Sequence, residues 1–244
     1  MVRVERRDDV AEGVVVITLD RPDRRNAVDH ATLLALLDAQ VACRNARIVV
    51  LTGSPPAFSA GADLTGVEEG VFAADLRRVL HGFTELGAPV IAAIDGPAMG
   101  AGAQLASVCD LRIATPRSTF AVPAARLGLM IDQWTVERLA REFGWPLTRG
   151  MLLAADVYDA ERLHAAGVIH RMGDLDDALA WAAEIARLAP LSIAGHKLAL
   201  EVIAGDVEPD ERIEAARAAA WGSSDADEGR RAFLEKRAPD FRGE

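Results

Sequence analysis

Short apolar runs, each closed by a turn and followed by a helical pattern, constrain this chain most. Val14-Val15-Val16-Ile17 is β-branched and continuous, as in a strand buried on both faces. Residues 47–52, 90–94 and 111–114 have the same character, and residues 2–6 pair naturally with 13–20 through a turn at Asp8-Asp9. Helical patterns lie between the later strands: one from a cap candidate at Asp29 to Cys43, with Leu33, Leu34, Leu37 and Val41 on one face, and one over 72–86. Strands separated in this way predict parallel βα units with right-handed crossovers. From Asp132 onward the pattern is mostly helical, over 134–143, 145–154, 175–188, 191–203 and 209–221. No linker or repeat divides the chain. The reading is an α/β core over 1–190 followed by a helical oligomerisation region over 191–244.

At 244 residues, half of them hydrophobic, the chain can bury one large core. Its net charge of -10 argues against a nucleic-acid partner, because binding there depends on neutralising phosphates. Residues 1–9 lack an apolar signal core, and no apolar run is long enough to span a membrane, so a cytoplasmic protein is expected. The two cysteines, Cys43 and Cys109, have no metal-ligand spacing, and Cys109 reads as a buried free thiol. The five histidines form no spaced pair, so no metal site is expected.

Two glycine-rich segments share one logic. Phe58-Ser59-Ala60-Gly61-Ala62-Asp63-Leu64 and Gly96-Pro97-Ala98-Met99-Gly100-Ala101-Gly102 each follow a buried strand and contain mainly small residues. Small side chains let a ligand approach the backbone. Backbone N–H groups at a helix start lack internal partners and attract negative charge. Two such turns facing each other can hold an oxygen that becomes negative, which is an oxyanion hole. Tight helix–sheet packing is the plainer explanation for either turn alone. A dinucleotide fingerprint fails, since Leu105 stands where the third glycine belongs. Ser59 lacks the nucleophile-elbow pattern of a triad serine.

Taken in order, these segments resemble the enoyl-CoA hydratase/isomerase (crotonase) family. The resemblance also includes Arg21-Pro22 with Arg25-Asn26-Ala27, the stretch from Asp95 to Cys109-Asp110, and Phe233-Leu234-Glu235-Lys236-Arg237 with Phe241. It implies an α/β, crotonase-like (ClpP/crotonase) spiral of ββα units with a C-terminal helical trimerisation region, assembled as a homotrimer or a dimer of trimers. It implies no permanently bound cofactor and an acyl-CoA thioester as ligand, coenzyme A being part of that ligand. CoA would lie near Arg25, Ala27, Ala60, Ala62, Asp63 and Leu64, with Lys236 and Phe241 approaching late in the chain. The thioester oxygen would meet the N–H groups of Ala62 and Ala101.

The same resemblance places the two hydratase glutamates at positions 104 and 124, where this chain has Gln104 and Ala124. Gln104 can hydrogen-bond a water but exchanges no proton near neutral pH, and Ala124 does neither. Each lost group costs about 10²–10⁴-fold. The expectation is therefore a fatty acyl-CoA binding protein with hydratase activity weak or absent. The alternative is an enzyme that uses Asp132 with the oxyanion hole, because similar isomerases and dehalogenases carry a working aspartate there. Asp132 is equally a helix-cap candidate. Met130, Ile131 and Trp134 either line an acyl pocket or fill core.

Overall fold

The computed structural model describes residues 1–65, 69–204, 218, 219 and 221–239. The chain divides into two compact units. The first comprises Met1–Phe120 with Tyr158–Gly205, and the second Ala121–Val157 with Asp206–Glu244. The boundary expected after residue 190 falls at the start of the helix Pro190–Ala204.

The first unit is organised by a six-stranded sheet. Its strands are β1 (Val2–Arg6), β2 (Val14–Leu19), β3 (Ile48–Gly53), β4 (Val90–Ile94), β6 (Leu111–Ala114) and β9 (Arg171–Met172), in that spatial order. β1 pairs antiparallel with β2, and every later pairing is parallel. Every residue of β2, β3 and β4 is buried, which is why these strands read as continuous apolar runs rather than alternating ones. On one face Val14, Val16, Ile48, Val50, Ile91, Ala93 and Ile113 form a core with Ala178, Leu179 and Ala182 of the helix α7 (Leu175–Ile185). A second, three-stranded sheet joins β5 (Pro97–Met99), β7 (Thr119–Ala121) and β8 (Tyr158–Asp159).

The helices α1 (His30–Ala42), α2 (Glu69–Glu85) and α3 (Ala101–Ser107) occupy the crossovers. Asp29 caps α1 as expected, its side chain accepting from the Thr32 N–H at 2.7 Å. The buried face of α1 differs from the expected one. Thr32, Leu33, Leu36, Ala39 and Gln40 are inside, while Leu34 and Val41 are exposed. The helix is apolar nearly all round, so its pattern does not select a face. The buried face also carries a polar contact: the Gln40 amide donates to the Val79 carbonyl of α2 at 2.7 Å.

Four strands went unpredicted: β5, β7, β8 and β9 have only two or three residues each, too few to show a period. The short helix α6 (Ala160–Ala165) was missed as well. Both cysteines are fully buried, as expected for Cys109. Burial pushes the Cys43 thiol up to about 11. No described helix is long and apolar enough to cross a membrane.

The second unit contains a 3-10 turn (Ala124–Leu127), α4 (Gln133–Phe143), α5 (Trp145–Arg149) and a π-helical turn (Gly150–Ala154). The single helix expected over 145–154 is thus two pieces, the second wound wider and ended by Ala155 in the left-handed conformation. The helix Ser224–Glu235, not predicted as such, packs against the 3-10 turn, and the Trp221 indole donates to the Met130 carbonyl at 2.8 Å. Of the helix expected over 209–221, only residues 218, 219 and 221 are described.

One buried cation ties α8 (Pro190–Ala204) to the rest of the first unit. Lys197 is 5% exposed. Its ammonium donates to the carbonyls of Phe83 at 3.0 Å and Ala88 at 3.1 Å, and to Asp110 Oδ2 at 2.8 Å. The same carboxylate oxygen accepts from the Val90 N–H that opens β4. Lys197→Met strands two carbonyls and a carboxylate, and should cost about 2–3 kcal/mol. A urea titration should show a lower midpoint with an unchanged slope.

Candidate functional site

The two glycine-rich turns meet. The first leaves β3 and runs beside the loop that precedes α1. The Ala60 N–H donates to the Arg25 carbonyl at 2.9 Å, the Val28 N–H to the Gly61 carbonyl at 2.7 Å, and the Asp63 N–H to the Val28 carbonyl at 2.8 Å. These bonds form a parallel bridge between Val28 and Ala62. The second turn leaves β4 and ends at Gly100, which starts α3. The turns are joined by the Ser59 N–H to the Pro97 carbonyl at 3.0 Å and the Met99 N–H to the Ser59 carbonyl at 2.9 Å. Gly61 has φ +96°, and a Cβ on it would lie 2.7 Å from the Met99 carbonyl oxygen and 3.5 Å from the Ala101 nitrogen. Glycine is required there for both reasons.

Ala62 and Ala101 thus lie on adjoining turns. Among the described residues neither N–H has an acceptor. Ala101 is the first residue of α3, where an N–H has no intrahelical partner. Ala62 is turned the other way from the carbonyl that bonds Val28. Buried or half-buried N–H groups are rarely left without partners, so a pair of them marks a place for an acceptor from outside the chain. Gln104, one turn further along α3, is 6% exposed.

The expected CoA contacts of the first unit fall together. Arg25 and Asn26 both have positive φ, and Ala60 and Arg25 are exposed. Arg21 braces the group: its guanidinium bonds Asp63 Oδ2 at 3.2 Å, Asp29 Oδ2 at 3.0 Å and the Ala27 carbonyl. Burial pushes the Asp29 carboxyl up, but the Thr32 bonds and Arg21 together hold it below the usual aspartate range. Leu64 follows directly, half-buried.

The remaining site candidates lie in the second unit. Ala124 opens the 3-10 turn. Asp132 caps α4: one carboxylate oxygen accepts from the Thr135 N–H and the other from its hydroxyl, both at 3.0 Å. Met130, Ile131 and Trp134 are half-buried, and Lys236 is exposed at the end of Ser224–Glu235. Phe241 lies outside the described residues. Among the described residues no cluster of His, Cys, Asp or Glu could hold a metal ion.

Two polar residues assigned no role from sequence prove to organise the turns. The Asn26 side chain is 1% exposed and fully used. It accepts from the Arg21 N–H at 2.9 Å and donates to the carbonyls of Ser54 at 2.7 Å and Ala57 at 2.6 Å. Ser59 is no triad nucleophile: its hydroxyl donates to the Asn26 carbonyl at 2.8 Å and accepts from the Gly61 N–H at 3.2 Å. These partners lie up to 33 residues away in the chain, beyond the reach of any local pattern.

Turns of small residues set on a parallel sheet, with two backbone donors on adjoining turns, are the kind of arrangement from which an oxyanion hole is built. Comparison with known proteins fixes the family. The family model described as enoyl-CoA hydratase/isomerase matches residues 9–244. The chain is 43% identical over 246 residues to the protein named Probable enoyl-CoA hydratase echA6 of Mycobacterium tuberculosis (strain CDC 1551 / Oshkosh), covering 96% of this chain and 97% of that one. It is 33% identical to the 2,3-dehydroadipyl-CoA hydratase of Escherichia coli (strain K12), covering 94% and 95%. Among solved structures, a methylmalonyl-CoA decarboxylase superposes with a TM-score of 0.90 at 27% identity, covering 100% of this chain and 98% of that one. The chain belongs to the enoyl-CoA hydratase/isomerase family, and its fold is the crotonase-like α/β fold.

The second turn offers a pH test. The Asp95 carboxylate, at its start, accepts from Arg117 and from the Thr115 hydroxyl at 2.9 Å. Arg117 holds the Asp95 carboxyl below its ordinary value. A depressed folded value stabilises the fold above the unfolded value of ~3.9, and that contribution is lost as pH falls through the folded value. The pair is partly exposed, so Asp95→Asn should cost only about 1 kcal/mol at neutral pH. Thermal melts should show the gap to wild type closing below about pH 4; a gap that persists in acid would contradict the assignment.

Proposed function

We propose that the protein binds a fatty acyl-CoA and clamps its thioester oxygen between the N–H groups of Ala62 and Ala101, with little or no hydratase activity. One observation carries the reading: two adjoining backbone donors have no acceptor among the described residues, while the positions that resemblance assigns to the acid and base hold Gln104 and Ala124. An oxyanion hole binds a carbonyl with or without catalysis, but adding water across a double bond needs a proton donor and acceptor as well. A structure of a methylmalonyl-CoA decarboxylase is a complex with 2-nitronate-propionyl-CoA, and it superposes on this chain with a TM-score of 0.90 at 26% identity, which supports a CoA thioester as ligand. CoA would run past Arg25, Ala27, Ala60, Asp63 and Leu64, with Lys236 and Phe241 supplying late contacts. Met130, Ile131 and Trp134 would line the acyl chain. Leu191, Leu198 and Leu200 of α8 are between 66% and 88% exposed, which supports a homo-oligomer such as a trimer or a dimer of trimers.

Calorimetry should show affinity for saturated acyl-CoAs that rises with chain length, since each buried methylene adds about 0.8 kcal/mol. Crotonyl-CoA should not be hydrated measurably by the pure protein. Absence of acyl-CoA binding, or brisk hydration, overturns the proposal.

A second reading is favoured by the likeness to the decarboxylase. When a malonyl-type thioester loses carbon dioxide, the breaking C–C bond leaves its electron pair on the α-carbon, and the enolate oxygen takes the negative charge. The two N–H groups stabilise that charge, no base is needed, and water supplies the final proton. In the other enzymatic alternative, Asp132 acts as base or nucleophile. Its commitment of both oxygens to Thr135 favours the cap. Mass spectrometry over unsaturated, substituted and malonyl-type acyl-CoAs separates these readings. Asp132→Asn is a clean variant, because Asn caps a helix as well as Asp does. Any turnover should survive it, and loss of turnover with binding intact would assign Asp132 to the chemistry.

A further inference from the structure

We infer that Ser59 is the positioning residue that fixes both oxyanion donors relative to each other. The inference rests on the clamp reading and deepens it. Ser59 is fully buried. It holds the first donor indirectly, by fixing Gly61 and the Asn26 loop whose Val28 bonds the Gly61–Ala62 peptide. Its hydroxyl accepts from the Gly61 N–H at 3.2 Å and donates to the Asn26 carbonyl at 2.8 Å, just before Val28. The Val28 N–H then takes the Gly61 carbonyl at 2.7 Å. The planar trans peptide between Gly61 and Ala62 carries that carbonyl on one side and the Ala62 N–H on the other. Anchoring the carbonyl therefore aims the N–H.

The same residue holds the second donor. The Ser59 backbone pairs in parallel with Ala98 of β5, its N–H donating to the Pro97 carbonyl and its carbonyl accepting from the Met99 N–H. The first turn of α3 rests directly on it: a Cβ on Gly102 would lie 2.6 Å from the Ser59 carbonyl oxygen, 2.8 Å from its Cβ and 3.1 Å from its hydroxyl. Ala101 precedes Gly102, so the height of the Ala101 N–H is set by this contact. A hydroxyl on a side chain this small satisfies Gly61 without lifting α3. Alanine would leave the Gly61 N–H and the Asn26 carbonyl without their shared partner.

The test uses the full chain and octanoyl-CoA carrying a 13C label at the thioester carbonyl, read by difference infrared spectroscopy. In the wild type, two donors polarise the carbonyl and move its band to lower wavenumber on binding. Ser59→Ala removes only the hydroxyl that anchors the first donor and keeps the backbone and Cβ that seat α3, so about half of that downshift should disappear. Affinity for octanoyl-CoA should fall about tenfold, while affinity for free CoA stays unchanged. A residue that serves only stability would alter the melting temperature and leave the band where it is. If Ser59→Ala does not fold, Ser59→Cys carries the same test, since a thiol is a weak donor and acceptor of similar size. An undiminished downshift in the folded variant overturns the role of Ser59 alone. No downshift in the wild type overturns the clamp and this inference together.

Discussion

The bond from the Val28 N–H to the Gly61 carbonyl governs the site. It takes one side of a rigid peptide and so leaves the N–H of Ala62 facing the other way. Much of the surrounding structure serves to hold that bond. Arg21 ties Asp29 and Asp63 across it, and Asn26 secures the loop from below through Ser54 and Ala57. Gly61, at φ +96°, permits a turn tight enough for the second glycine-rich segment to lie against the first. The parallel sheet supplies the frame, because β3 and β4 are adjacent and both turns leave the carboxyl ends of these strands.

The distinction between a clamp and a catalyst follows from what those amides can do. They stabilise negative charge on oxygen, whatever process puts it there. They move no protons. Hydration needs groups that give and take protons near neutral pH, and neither a carboxamide nor a methyl group does so. On the proposed reading the two amides bind and polarise a thioester, while Gln104, buried one turn further along α3, moves no proton. A chemistry that such a proposed hole supports without a base is one that generates an enolate by losing a group rather than a proton. Asp132, the carboxylate that family resemblance offers as a catalytic group, caps α4, and that place accounts for its presence on structural grounds.

Much of the fold was legible in the sequence because the central strands are buried on both faces and thus carry an unbroken apolar signature. The cap residues Asp29 and Asp132 were legible too, since capping is local chemistry. The buried face of α1 was not, because Leu34 and Val41 are as apolar as the residues that face the core. Nor were β5 and β8, which exist only through their partners. At the site, the small residues announced a place for close backbone approach, and family resemblance singled out Ala62 and Ala101. The organising roles of Ser59 and Asn26 were not legible, because they lie in contacts with distant segments that exist only once the chain is folded.

A crystal structure with a bound saturated acyl-CoA tests the central claim most directly. The thioester oxygen should lie about 2.7–3.2 Å from the nitrogens of both Ala62 and Ala101, with the thioester intact. An acyl-CoA bound with its carbonyl turned away from both amides would contradict the account.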